Sequence, residues 1–290
     1  MRRLIINADD LGLTAGVNRA VSEASSRGVV TSSTMMANAS SFDDAAAAFR
    51  STGKTPGVGC HVVLVDGAPL LPPAQVSTLL ADGQPRFRDG FLDIAICTMR
   101  SQLDLTQIEA EATAQIRKLQ AAGIQVSHID THKHVHLFPA VLRPLLRAAK
   151  TCGIRAVRNP FAPVKPLAFA HLMRRPRLWT RYSEVKVLRG LASSFRQTVA
   201  AADMVTTDGT FGIVVTGALD EALFRAIVGC IPEGTWELCC HPGYNDEDLQ
   251  RVRTRLRQSR EQELRVLTSE AARQALQEHG IELISYWDLQ

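Results

Sequence analysis

The sequence predicts an α/β fold: one β/α barrel of the TIM-barrel kind, regular or distorted, over residues 1–290. Three observations predict it. Eight short apolar runs recur along the chain, several rich in β-branched residues and bounded by Gly or Pro. The stretches between them carry apolar residues at helical spacing. Such alternation means a parallel sheet covered by helices, and eight runs suit a barrel of usual size, ~250 residues. An open doubly wound sheet is the runner-up, but its GxGxxG signature is missing after the first run.

In order, the runs are Leu4–Asn7, Val29–Ala37, Val58–Val65, Gln125–Asp130, Ile154–Arg158, Met204–Thr206, Thr235–Cys240 and Ile281–Ser285. After the first, Val17, Ala20, Val21 and Ala24 share a helical face that stops at Gly28. Thr106–Glu109 reads as a capping box, followed by a stripe of Ile108, Ala112, Ile116 and Leu119 ending at Gly123. Val141, Leu142, Leu145, Leu146 and Ala149 form the next stripe, before Gly153. Helices over Glu221–Ile231 and Leu267–His279 complete the set.

Composition excludes some classes of function. A net charge of +4 is too small to imply nucleic acid as a partner. No apolar run reaches the ~18 residues that span a bilayer. The six cysteines form no CxxC pair and read as reduced thiols of a cytoplasmic protein. Charge is concentrated in one place, a basic insertion at about 163–200. From Lys165 to Arg196 there are two Lys and six Arg against Glu184 alone. Pro166 and Pro176 interrupt it, so neither a clean strand nor a long helix is expected. It reads as a solvated cover for the barrel mouth, or as a lid making peripheral contact with an anionic membrane.

In such barrels the reactive side chains stand at the C-terminal strand ends. Seven of the eight runs place a polar or ionisable group there, although such groups are costly where partly buried. Run one ends in Asp9-Asp10, which alone would also read as a helix N-cap pair. Run three contains His61 amid apolar residues. Run four leads into His128-Ile129-Asp130-Thr131-His132-Lys133-His134-Val135-His136. With extended backbone, its five ionisable positions would face one way. Four of the chain's eight histidines fall in these nine residues, and imidazole beside carboxylate suits a divalent cation. Not all can be ligands. Asp130, His134 and His136 would hold ligands in orientation or line the substrate. Run five ends at Arg158, which would meet substrate or form a strand-end salt bridge. Run seven leads to His241-Pro242-Gly243-Tyr244, where His241 is either a turn residue or a general acid facing the metal.

Together, Asn7-Ala8-Asp9-Asp10-Leu11-Gly12, His61 in a Gly-x-His-x-x-Leu context, and His128-x-Asp130-x-His132-x-His134-x-His136 resemble the YdjC-like carbohydrate deacetylases, which include chitooligosaccharide deacetylases. The likeness is strong from Arg3 to about Asn159 and returns at His241–Tyr244. It implies an α/β barrel with one divalent metal held by Asp10, His61 and His132, and Asp9 as general base. It also implies Mg²⁺, although two imidazoles would suit Zn²⁺. Leu11 stands where the family usually has Phe, and Thr131 where Ser is common. His61–Gly67 followed by Leu70-Leu71-Pro72-Pro73 resembles the branch associated with hopanoid biosynthesis, implying an N-acetylglucosaminyl hopanoid lipid as substrate.

The expected activity is thus metal-dependent removal of acetyl from an N-acetylated sugar or glycolipid, with Asp9 and His241 catalytic. Two other classes compete. A glycoside hydrolase would need two carboxylates ~5–9.5 Å apart and has no use for the histidines. A non-catalytic metal- or lipid-binding protein would have no use for Asp9.

Overall fold

The computed structural model describes residues 1–50, 56–167 and 169–289. Its frame is a curled parallel sheet of seven strands: β1 Arg2–Leu11, β2 Ser32–Met35, β3 Gly57–Val62, β4 Val126–Thr131, β5 Gly209–Phe211, β6 Gly234–Cys240 and β7 Ile281–Leu283. The order is β4-β3-β2-β1-β6-β5, with β7 against the start of β1. β1 is buried from Leu4 to Leu11. Neighbours on both edges and helices on its outer face explain its near-continuous apolar run. Register sets the rim: His61 lies beside Asp130, and Ala8 beside Cys240, so Asp9 and His241 leave adjacent strands together.

The sheet departs from the expected eight strands. Ile154–Arg158 and Met204–Thr206 give only isolated parallel bridges, Val157 to Ile129 and Ala156 to Val205. Asn159 diverts the first: its side chain donates to the Thr207 carbonyl and accepts from the Phe161 amide, and Pro160 has no N–H to donate. The pairing strand comes three residues later, as β5.

Twelve helices are described: α1 Ala15–Ser26, α2 Phe42–Phe49, α3 Gly90–Met99, α4 Leu105–Ala121, α5 Pro139–Thr151, α6 Phe169–Met173, α7 Trp179–Leu188, α8 Ala192–Ala201, α9 Glu221–Cys230, α10 Glu247–Arg251, α11 Gln258–Leu267 and α12 Glu270–Glu278. Thr14 caps α1 by accepting from the Val17 amide, so Asp9 and Asp10 are not its caps. α4 begins two residues earlier than the expected capping box implies: Asp104, not Thr106, is its cap. The basic insertion is a chain of short pieces, α6 to α8, broken at Pro176. Arg181 ties it to the carbonyl of Thr216, beyond the C-terminal end of β5, and Arg189 to that of Ala162, next to Phe161, whose own carbonyl accepts from Thr210 of β5. Among the described residues no helix is long and apolar enough to cross a membrane.

Candidate metal centre

Asp9 and Asp10 lie within β1 rather than past its end. Adjacent strand residues would normally face opposite ways. Here the pairing of β1 with β2 shifts register between Ala8 and Leu11, and Asp10 takes a left-handed φ of 66°. With that irregularity, Asp10 Oδ1 comes to His61 and His132 while Asp9 Oδ2 comes to His241. Such strain in a residue with a side chain persists only where its surroundings hold it.

Three ligand atoms from three strands converge. Asp10 Oδ1 lies 3.6 Å from His61 Nε2 and 3.5 Å from His132 Nδ1, and the two imidazole nitrogens are 3.4 Å apart. An ion bound tetrahedrally at ~2.0–2.1 Å leaves its ligands ~3.4 Å from one another. Asp10 Oδ1 is buried and has no hydrogen-bond partner, as an atom meant for an ion would be. The residues present therefore fit a divalent cation.

His61 is set by Asp130, whose carboxylate lies 2.7 Å from its Nδ1. A proton on that nitrogen directs the bare Nε2 at the cavity, the usual carboxylate–histidine–metal relay. Burial would lower the His61 pKa, but Asp130, Asp9 and Asp10 outweigh it and raise it to about 9. Without a cation the imidazole thus carries charge for the carboxylates around it.

Beneath the ligands sits Arg158, fully buried. Its Nη1 and Nη2 donate to the two oxygens of Asp9 at 2.8 and 2.6 Å, and its Nε donates to Glu237 at 2.7 Å. It also pairs with Asp130. The Tyr286 hydroxyl donates to Glu237, and the Tyr286 ring stacks on His128 at 3.6 Å. Burial would raise the Asp9 pKa, but the Arg158 charge and hydrogen bonds hold it far below the carboxylate range. Asp10 is likewise held low by Arg260 against the effect of burial. In this ion-paired cluster, Asp9, Asp10, Asp130 and Glu237 oppose Arg158 and Arg260. Four negative charges against two positive leave the deficit that one divalent cation fills.

His241 closes the other side. Its Nε2 stands 3.9 Å from Asp9 Oδ2, its Nδ1 is unpartnered, and burial lowers its pKa to about 4. Its backbone N–H donates to Glu263, a carboxyl that burial pushes up to about 7.

The histidine run does not stay extended. β4 ends at Thr131, and residues 132–137 form a tight turn with Lys133 and His134 left-handed. Only His132 of the run joins the triangle. His136 faces away, within reach of the Thr131 hydroxyl and the Arg158 carbonyl. His134 is half-buried with Nδ1 unpartnered. Arg158 has no exposed surface to offer a substrate, so its strand-end salt bridge is the correct alternative. The sequence places Tyr286 at the end of the eighth run, but gives no role to Glu237, Arg260 or Glu263. One signal was available: Arg260, Glu263, Leu264 and Leu267 share a helical face, so opposite charges sit on the core side of α11.

Residues 3–278 match the family described as YdjC-like protein. The chain belongs to the YdjC-like family. A carbohydrate deacetylase of Brevibacillus brevis is 32% identical, with 99% of each chain covered. A chitooligosaccharide deacetylase of an Enterobacter species is 31% identical, covering 99% of this chain and 98% of the relative. Among solved structures, an Enterococcus faecalis V583 protein superposes with a TM-score of 0.77 at 27% identity, covering 99% of this chain and 98% of that one. This YdjC-like chain therefore shares its overall fold with a crystallographically determined protein over nearly its full length.

Proposed function

We propose that this YdjC-like chain is a metal-dependent hydrolase that removes the acetyl group from an N-acetylated amino sugar. The observation carrying the proposal is the triangle of Asp10 Oδ1, His61 Nε2 and His132 Nδ1, with Asp9 and His241 paired beside it. The names of the relatives agree with it. A divalent ion held by the three ligands would polarise the amide carbonyl and acidify a water.

The chain's own groups then move protons. Asp9, ionised at every working pH, takes the proton of the attacking water. His241 is unprotonated at neutral pH, so the proton it gives the leaving amine must arrive within the turnover. Asp9 Oδ2 is 3.9 Å from His241 Nε2, a gap that one bridging water closes, and it supplies that proton. Arg158 lowers the basicity of Asp9 and so favours that onward transfer. A glycosidase would need two carboxylates across a sugar ring and has no use for two imidazole nitrogens set around Asp10 Oδ1.

At a finer level the substrate is an N-acetylglucosaminyl hopanoid lipid, as the resemblance over His61–Pro73 implies, and the ion is Mg²⁺ or Zn²⁺. The protein works in the cytoplasm, touching the membrane through residues 165–196. Exposed Arg174 and Arg177, and exposed Met173 and Val187 in the same segment, support that contact. The deciding experiment measures acetate released from N-acetylated chitooligosaccharides and from an N-acetylglucosaminyl lipid, with each metal and after chelation. Release that chelator abolishes and metal restores is expected, with the lipid preferred. No release from either substrate by metal-loaded protein overturns the activity. Sedimentation with anionic and neutral liposomes tests the membrane contact, which equal, negligible binding to both would rule out.

A further inference from the structure

We propose that Arg260 is a positioning residue that fixes the metal ligand Asp10 in one-oxygen coordination. The proposal rests on the reading of Asp10, His61 and His132 as metal ligands and adds a fourth, distant residue to that centre.

Arg260 stands in the first turn of α11, 250 residues along the chain from Asp10, and is 1% exposed. Its Nη2 donates to Asp10 Oδ2 at 2.5 Å. Its Nε donates to the Leu256 carbonyl at 3.2 Å, which locks the plane of the guanidinium. Asp10 Oδ2 is thus engaged while Oδ1 alone faces His61 and His132. A carboxylate left free at both oxygens could rotate or chelate an ion with both. One clamped from behind presents a single atom in a fixed direction.

An independent feature points the same way. A Cβ at Gly243 would lie 2.9 Å from Arg260 Cδ and 3.3 Å from Arg260 Cβ. The Gly243 N–H also donates to the Arg260 carbonyl. The turn after β6, which carries His241, therefore leaves room for the arginine stem and is bonded to its backbone. Arg260 Nη1 is buried without a partner, so the side chain occupies this place at the cost of an unsatisfied donor. Packing alone would favour an apolar residue at such a site.

The test uses full-length protein stripped of metal by chelator, titrated calorimetrically with Zn²⁺ and followed by Co²⁺ visible absorption. Wild type, Arg260→Gln and Arg260→Lys are compared, with thermal melts of the metal-free forms confirming that each is folded. The lysine keeps the charge and loses the planar fork. The expected result is one ion per wild-type chain, about tenfold weaker binding in both variants, and an altered Co²⁺ spectrum. Unchanged affinity and spectrum in both variants overturn the proposal. Tighter binding in Arg260→Gln also overturns it, because Arg260 would then act only as a repelling charge. If Arg260→Gln fails to fold, Arg260→Lys decides alone on the same criteria. If wild type binds no ion, the metal reading itself fails, which is a distinguishable outcome.

Discussion

Asp9 and Asp10 are neighbours in sequence, equally buried, and each is gripped by a buried arginine, yet the two grips differ. Arg158 bonds both oxygens of Asp9 and shares itself with Asp130 and Glu237. Arg260 bonds one oxygen of Asp10 and leaves the other bare. The difference separates their chemistry. A carboxylate held at both ends keeps its charge and its place and can still accept a proton from a water. A carboxylate held at one end offers a single directed lone pair to an ion. In the proposed function, two like residues side by side take two roles from the cations behind them.

The comparison breaks most violently at Arg158. Arg158→Met would leave Asp9, Asp130 and Glu237 buried without their shared cation. Loss of about 3–5 kcal/mol is expected, enough to unfold many domains, and urea denaturation checks it. A stability within about 1 kcal/mol of wild type would mean that the cluster is neutralised some other way.

A second prediction sharpens the Asp9 side. Asp9→Asn keeps the shape but cannot take a proton, and turnover should fall about 10²–10⁴-fold in a protein that still folds and binds the ion. A third probes the partner of Asp9. His241→Ala should lower turnover by about 10²-fold and flatten the acid limb of the pH–rate profile, with metal content unchanged. Full activity in that variant would leave His241 as a turn residue only.

The smallest effect is one of stability with pH, and it comes from histidines outside the triangle. Burial lowers His128 to about 3 and His136 to about 4 from an ordinary 6.5. Their folded pKa values are depressed, so the stability they contribute is present above pH 6.5 and is lost as pH falls toward 4 and 3. Melting temperature should decline through that window, and His136→Gln should decline less steeply. An equal slope in both proteins would show that His136 takes up no proton on unfolding, so that its folded pKa is not depressed.

How legible this was in the sequence depends on distance along the chain. The convergence of Asp10, His61 and His132 was readable because strand ends of a parallel sheet share a rim, and all three sit at such ends. The arginine clamps were not. Arg260 reaches Asp10 across 250 residues. Nothing local marks it except a charge on the core face of α11. Glu237 sits mid-strand in β6, where a lone carboxylate in an apolar run is the only hint. The run from His128 to His136 misled because alternation assumes extended backbone, and left-handed Lys133 and His134 end that at once. The missing fifth and sixth strands have a similar cause: the side chain of Asn159 and the ring of Pro160 interrupt the ladder that their apolar neighbours suggest.

The most direct measurement is metal stoichiometry by calorimetric titration of chelator-stripped Asp9→Asn and Asp10→Asn beside wild type. The account predicts one ion per chain in wild type, one ion in Asp9→Asn at similar affinity, and loss of at least tenfold in affinity in Asp10→Asn. Loss of the ion in Asp9→Asn with retention in Asp10→Asn would reverse the two roles and contradict the account.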